Sequence, residues 1–207
     1  NASMTTTDSP KKKGSVPRWL AIPTAKPQLN TAEVASKYPR LRFQVFMGIF
    51  IGYATFYLIR NNVPLVTPIL THELGFSNAA IGALSTALLL AYGFSKFFTA
   101  MISDRSNARL FLPIGLVLSG IANVLLAIAG YMGSGAAAAG YGAAIASPMA
   151  AIMVFNGIFQ GMGWPPSGRV LVNWFSTSER GSKVSLWNTA HNVGGALSGL
   201  LVAWGFT

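Results

Sequence analysis

Three basic side chains stand where a cation is expensive. Arg60, Lys96 and Arg169 fall within strongly apolar stretches of the chain, and a charge at the centre of a bilayer costs about 2.5–3.5 kcal/mol on insertion scales. Arg60 is the sharpest case, because it lies some 26 Å along a helix from Phe43, counted at about 1.5 Å per residue. Tyr53, Tyr57 and Arg60 follow one another at i, i+4 and i+7, so they share one helix face. A guanidinium is a planar fork of donors that fits carboxylate or phosphate oxygens. The chemistry such a face can do is recognition of an anion. Apart from Asp104 at a segment end, no Asp or Glu lies in an apolar segment, so the counter-charge of Arg60 is expected to be a ligand. The competing reading is a side chain that snorkels to the interface; against it, Val63, Leu65 and Val66 carry the apolar run past Arg60.

Further polar groups recur at helical spacing. Lys96 follows Tyr92 by four residues and precedes Ser103 by seven, a depth from which both a cavity-facing and an interfacial position are open. Arg169, after Trp164, Pro165 and Pro166, is assigned an interfacial place. Asn156, Gln160 and Trp164 repeat every four residues, with Gly157 and Gly161 on the adjacent stripe; small residues at that spacing let helices approach closely in lipid, and amides bond across them or to a ligand. Asn188 and His191 lie three apart and are followed by Gly195 and Gly199. An intramembrane histidine can be a packing residue, a proton acceptor or a hydrogen-bond donor to an anion; beside Arg60, donation is favoured. His72 is read as solvated surface.

The elements that must position these groups are membrane helices. The 207 residues are 52% hydrophobic and 10% charged, with a mean hydropathy of +0.48, whereas soluble domains carry about 25% charged residues. Apolar segments fall at about 43–67, 79–102, 110–132, 149–173 and 184–206, each close to the roughly 20 residues a bilayer requires. Eight of the 15 Lys and Arg precede Phe43, against Asp8 and Glu33. Arg105 and Arg109 lie in the second joint, and Arg180 and Lys183 in the fourth. All twelve share one side if the N-terminus is cytoplasmic, the positive-inside arrangement. Residues 1–42 read as a flexible basic tail, with one short surface helix from Thr31 as N-cap to Tyr38, stopped by Pro39. The Ala- and Gly-rich stretch from Gly133 to Ser147 is expected to be a flexible outer loop. An odd count of spans ending at Thr207 reads as a truncated chain.

Several function classes drop out. The net charge of +10 sits largely in the tail and lacks any aromatic interleaving or recognition motif, so a membrane-surface anchor is preferred to nucleic-acid binding. With no Cys and only two His, thiolate chemistry, a metal cluster and a nucleophile with its base have no residues to build on. No enzymatic activity, metal or cofactor is expected.

Ser103-Asp104-Arg105-Ser106-Asn107-Ala108-Arg109 resembles the loop signature of the major facilitator superfamily, with Ala100 where that signature opens on Gly. YLIRNN (57–62), GFSKF (93–97), FQGMGWPPSGR (159–169), ERG (179–181) and WNTAHNVGG (187–195) are similar to motifs of the organophosphate:phosphate antiporters, which include glycerol-3-phosphate and hexose-6-phosphate transporters. The resemblance runs from about Leu41 to Trp204. It implies an all-α membrane protein of the major facilitator fold, in which this chain supplies five of twelve spans as a half-bundle over 43–207 and lacks the C-terminal half. It further implies a bacterial inner-membrane location and exchange of an organic phosphate for inorganic phosphate, or a sugar-phosphate sensor of the same fold. Arg60 falls on the family's phosphate-binding arginine, Lys96 and His191 on cavity positions, and Tyr53, Tyr57, Gln160, Trp164 and Asn188 on the cavity lining. Asp104, Arg105, Arg109, Glu179 and Arg180 fall on structural or gating positions. Close relatives have Lys after the binding arginine; here Asn61 makes the site less positive.

Overall fold

The computed structural model describes residues 17, 19–23, 29–136 and 142–205, all helical apart from short joints. Lys11, Lys12, Lys13, Arg18 and Lys26 of the basic tail lie outside the described residues, as do Phe206 and Thr207. The helices run in the order α1 (Thr31–Arg60), α2 (Asn62–Leu65), α3 (Thr67–His72), α4 (Asn78–Asp104), α5 (Ala108–Ala136), α6 (Gly142–Gln160), α7 (Trp164–Trp174), α8 (Thr177–Asn188) and α9 (Ala190–Gly205). Helices α1, α4 and α5 are each long and apolar enough to cross a membrane. The fourth and fifth expected spans are each made of two pieces, α6 with α7 and α8 with α9, interrupted at Gly161–Gly163 and at Thr189.

Three expectations are corrected by these bounds. First, the surface helix does not stop at Pro39: α1 is continuous from Thr31, capped by Asn30, whose side chain accepts from the Glu33 amide at 2.8 Å. The boundary drawn at residue 42 therefore falls inside a helix. Proline removes one backbone bond, but distant partners hold the turn around it: Tyr38 stacks on Trp174 at 6.1 Å and donates to its carbonyl at 2.7 Å. Second, α1 ends at Arg60, not near residue 67, and two short helices carry the chain on to α4. Third, the stretch from Gly133 to Ser147 is largely helical, with α5 reaching Ala136 and α6 starting at Gly142; alanine is the strongest helix former, and only 137–141 lie outside the described residues.

Packing follows the stripes in the sequence. On α1, Phe46, Ile49, Tyr53 and Phe56 are buried at the alternating three- and four-residue spacing of one face. Phe46, Ile49 and Tyr53 join Leu171, Phe175, Trp187 and Ala190 in one apolar cluster, while Val63, Leu70, Phe76, Leu84, Leu88, Leu126, Met149 and Met153 belong to another. The pair α4–α6 is drawn together at the predicted glycine stripe. A Cβ on Gly157 would stand 2.4 Å from the Leu88 carbonyl oxygen, and Ser95 and Thr99 of α4 donate to the carbonyls of Gly157 and Gly161 at 3.4 and 3.0 Å. On α9 the tight position is Gly194, whose Cβ would meet the Ala54 carbonyl at 2.0 Å, while a Cβ on Gly199 would meet open space.

One end of the bundle is clasped by arginines. Arg42 of α1 pairs with Glu179 in the first turn of α8 and lies over the Phe175 ring at 4.7 Å; the Glu179 carboxylate also accepts from the Ser176 amide at 3.2 Å. Arg180 donates to the carbonyls of Val172 and Phe175 at 3.1 and 3.2 Å, closing the end of α7. Arg169 works on backbone carbonyls at the same end. Its two Nη atoms donate to the carbonyls of Ser103 and Ser106, so it caps the negative end of α4. A piece of the tail docks there as well: the Asn107 amide donates to the Leu20 carbonyl at 2.8 Å, and Leu20 is buried.

The close approach at Gly157 predicts that Gly157→Ala lowers unfolding stability in detergent by about 1–3 kcal/mol, the usual cost of overpacking, whereas Gly199→Ala, with open space around it, leaves the melting curve in place. The Arg42 hydrogen bond holds the Glu179 carboxyl below its ordinary value. The stabilisation is therefore complete above the usual carboxylate range and is lost as pH falls through the lowered value. Acid titration of the folded protein is expected to show that limb, and Glu179→Gln to flatten it.

Candidate functional site

Arg60 closes α1 at the height of the bundle's middle. Its guanidinium carbon stands 4.0 Å from the centroid of the Tyr92 ring, and Tyr92 lies close to midway between Asn78 and Asp104 on α4, about 20 Å from either end at the helical rise. A second ring, Tyr57, stacks under the guanidinium at 4.3 Å. These π faces contribute about 0.5–2 kcal/mol each without cancelling the charge. Gln160 supplies the polar partner, its Oε1 accepting from Arg60 Nε at 3.1 Å. Arg60 Nη2 is buried and has no hydrogen-bond partner.

Among the described residues the ion pairs are Arg42–Glu179 and Lys37–Glu33, both at the clasped end, so no resident carboxylate neutralises Arg60. A buried guanidinium nitrogen left without an acceptor is costly, and an oxyanion such as a carboxylate or a phosphate can supply acceptors to such a planar fork of donors.

The predicted residues gather around Arg60 in two branches. On one side Tyr57 leads to Tyr53 at 5.4 Å between centroids and to His191 at 5.4 Å; Tyr53 is only 5% exposed, packed on Trp187 at 4.4 Å, whose indole nitrogen donates to the Ile49 carbonyl. On the other side Tyr92 leads to Lys96, with Nζ 4.1 Å from the ring centroid, so both cations share one aromatic ring. Gln160 is 1% exposed and inside the cluster. Trp164 is 50% exposed at the start of α7, and Asn188 is exposed at the end of α8; among the described residues no hydrogen bond or ring contact ties either to the Arg60 group. Asp104, Arg105 and Arg109 stand at the clasped end with Glu179 and Arg180. A cavity of about 580 Å³ lies at that end too, lined by Ile22, Ile49, Leu112, Arg169 and Trp174 among others and by none of the Arg60 cluster.

Two participants were not singled out from sequence as site residues. Ser119 of α5 accepts from Gln160 Nε2 at 2.7 Å and bonds Asn156 Oδ1, and Asn123, one turn on, accepts from Asn62 Nδ2 at 3.2 Å. Their signal is present in the sequence: they are polar residues four apart in a span otherwise apolar from Leu110 to Gly130.

A sequence profile of the Major Facilitator Superfamily matches residues 49–207. The chain is 47% identical over 178 residues to a glycerol-3-phosphate transporter of Bacillus subtilis, covering 86% of this chain and 38% of that protein. It is 38% identical over 167 residues to a probable hexose phosphate transport protein of Chlamydia trachomatis, covering 79% and 33%. It is 38% identical over 186 residues to the membrane sensor protein UhpC of Escherichia coli, covering 89% and 39%. The chain thus spans between a third and two fifths of the length of these relatives. They are transporters and a sensor, not enzymes. An all-helical bundle, three helices of membrane-crossing length and a profile match over more than three quarters of the sequence agree: the chain belongs to the Major Facilitator Superfamily and is a membrane protein.

Proposed function

We propose that the whole protein exchanges an organic phosphate, such as glycerol-3-phosphate or a sugar phosphate, for inorganic phosphate by alternating access. The observation that carries this reading is the mid-bundle guanidinium of Arg60, with Nη2 buried and unpartnered and with no ion pair to an acid among the described residues. The similarity to phosphate-ester transporters supports it. In this reading Arg60 takes the phosphate, Lys96 and His191 stand by as cationic and donor neighbours, and Tyr53, Tyr57, Gln160, Trp164 and Asn188 line the path. Asp104, Arg105, Arg109, Glu179 and Arg180 act at the end that opens and closes. The half-bundle over 43–207 pairs with a C-terminal half carrying a second cationic site, and 1–42 is a basic segment on the cytoplasmic side of a bacterial inner membrane.

Two facing cationic sites repel when empty and are drawn together by a bound dianion. The loaded carrier therefore reorients and the empty one does not, since a ligand shifts an equilibrium by its differential affinity for the two states. Exchange needs no other energy source. A second reading, a sugar-phosphate sensor signalling to a membrane kinase, is favoured by the similarity to UhpC; it predicts binding without accumulation of substrate.

Counterflow of labelled phosphate in proteoliposomes of the full-length protein tests both. Exchange is expected with the wild type and is expected to fall about 10- to 100-fold in Arg60→Ala, the loss of a hydrogen bond to a charged group. Undiminished exchange in that variant overturns the reading, and saturable binding with no counterflow favours the sensor.

A further inference from the structure

We infer that Ser119 and Asn123, adjacent on one face of α5, are positioning residues for Arg60: they fix the direction in which its donors point. The inference rests on Arg60 being the phosphate-binding group. Arg60 Nε carries a hydrogen and can only donate, so the Gln160 atom facing it at 3.1 Å must be the amide oxygen. Gln160 then presents its NH2 to Ser119 Oγ, 2.7 Å away. Ser119 receives that hydrogen and sends its own proton to Asn156 Oδ1. Any reversal of the chain sets donor against donor at Arg60, so one orientation of the three side chains satisfies all of them. Ser119 is 0% exposed, and Asn156 and Gln160 are 1% exposed, so water does not substitute for a missing member.

The second arm holds the backbone. Asn123 donates to the Ser119 carbonyl at 2.8 Å and accepts from Asn62 at 3.2 Å. Asn62 begins α2, two residues past Arg60. The side chain of Arg60 and the chain end that carries it are therefore both referred to the same turn of α5. With Nε engaged by Gln160 and the guanidinium held against the faces of Tyr57 and Tyr92, the end-on pair Nη1 and Nη2 is what remains to meet two oxygens of one phosphate. Removing the Ser119 hydroxyl frees Gln160 to turn its amide and leaves that pair unaimed, which weakens binding without touching the bound group.

The test is phosphate counterflow by Ser119→Ala, Ser119→Thr and Asn123→Ala in the full-length protein, with half-saturating phosphate and maximal rate per folded protein measured separately and Arg60→Ala run in parallel. Ser119→Ala and Asn123→Ala are expected to raise half-saturation about tenfold with the maximal rate retained, as loss of a supporting hydrogen bond does at other sites, and Ser119→Thr, which keeps the hydroxyl, to restore it. If Arg60→Ala abolishes exchange while both α5 variants keep wild-type half-saturation, the positioning role is wrong and the phosphate site stands. A lower yield of folded protein with unchanged half-saturation also overturns it, because a packing defect alone does that. If Arg60→Ala exchanges normally, the underlying site reading fails.

Discussion

A positive charge at the end of α1, held beside the middle of α4 with no acid among the described residues to meet it, is the constraint around which the bundle is organised. Two tyrosine faces and one amide oxygen partly replace the hydration that Arg60 gives up, and each arrives from a different helix. α1 brings Arg60 and Tyr57, α4 brings Tyr92, and α6 brings Gln160 with α5 behind it. The apolar cluster that contains Phe46, Tyr53 and Trp187 lies to one side of this group along α1, and the cluster that contains Val63, Leu84 and Met153 to the other. The polar layer is thus enclosed by hydrophobic packing on both sides, where an unmatched donor costs most.

The clasped end solves a different problem with the same residue type. Arg169 and Arg180 are used on backbone carbonyls at the ends of α4 and α7, and Arg42 on the one carboxylate opening α8. Helix C-termini gathered at one end carry several unpaired carbonyls, and guanidinium groups satisfy two at a time. A guanidinium there donates to backbone or carboxylate oxygens, whereas at mid-bundle the Nη2 of Arg60 has no hydrogen-bond partner. The difference lies in what surrounds it and not in the residue.

What could be read from the sequence follows the same division. The shared face of Tyr53, Tyr57 and Arg60 and the close-packing Gly157–Gly161 stripe were legible, because spacing along a helix fixes which side chains share a face. The run of α1 through Pro39 was not, since a local rule was overridden by Tyr38–Trp174 and Arg42–Glu179, contacts more than 130 residues apart in sequence. The role of Arg169 was illegible for another reason: its partners are backbone carbonyls, which leave no mark in residue types. Ser119 and Asn123 were visible as polar interruptions of an apolar span, but their purpose depends on Gln160 and Asn62 arriving from helices whose neighbours the sequence does not name.

The chain of side chains from Asn156 through Ser119 and Gln160 to Arg60 crosses three helices in a few hydrogen bonds, and it tolerates little relative displacement. Sliding α1 by one turn along α5 and α6 would move Arg60 about 5 Å and break its bond to Gln160 together with the bond from Asn62 to Asn123. The bundle is consequently stiff against shear at its mid-height, and large motions available to it are tilts of the whole unit, with the angle between Arg60 and its neighbours carried along unchanged.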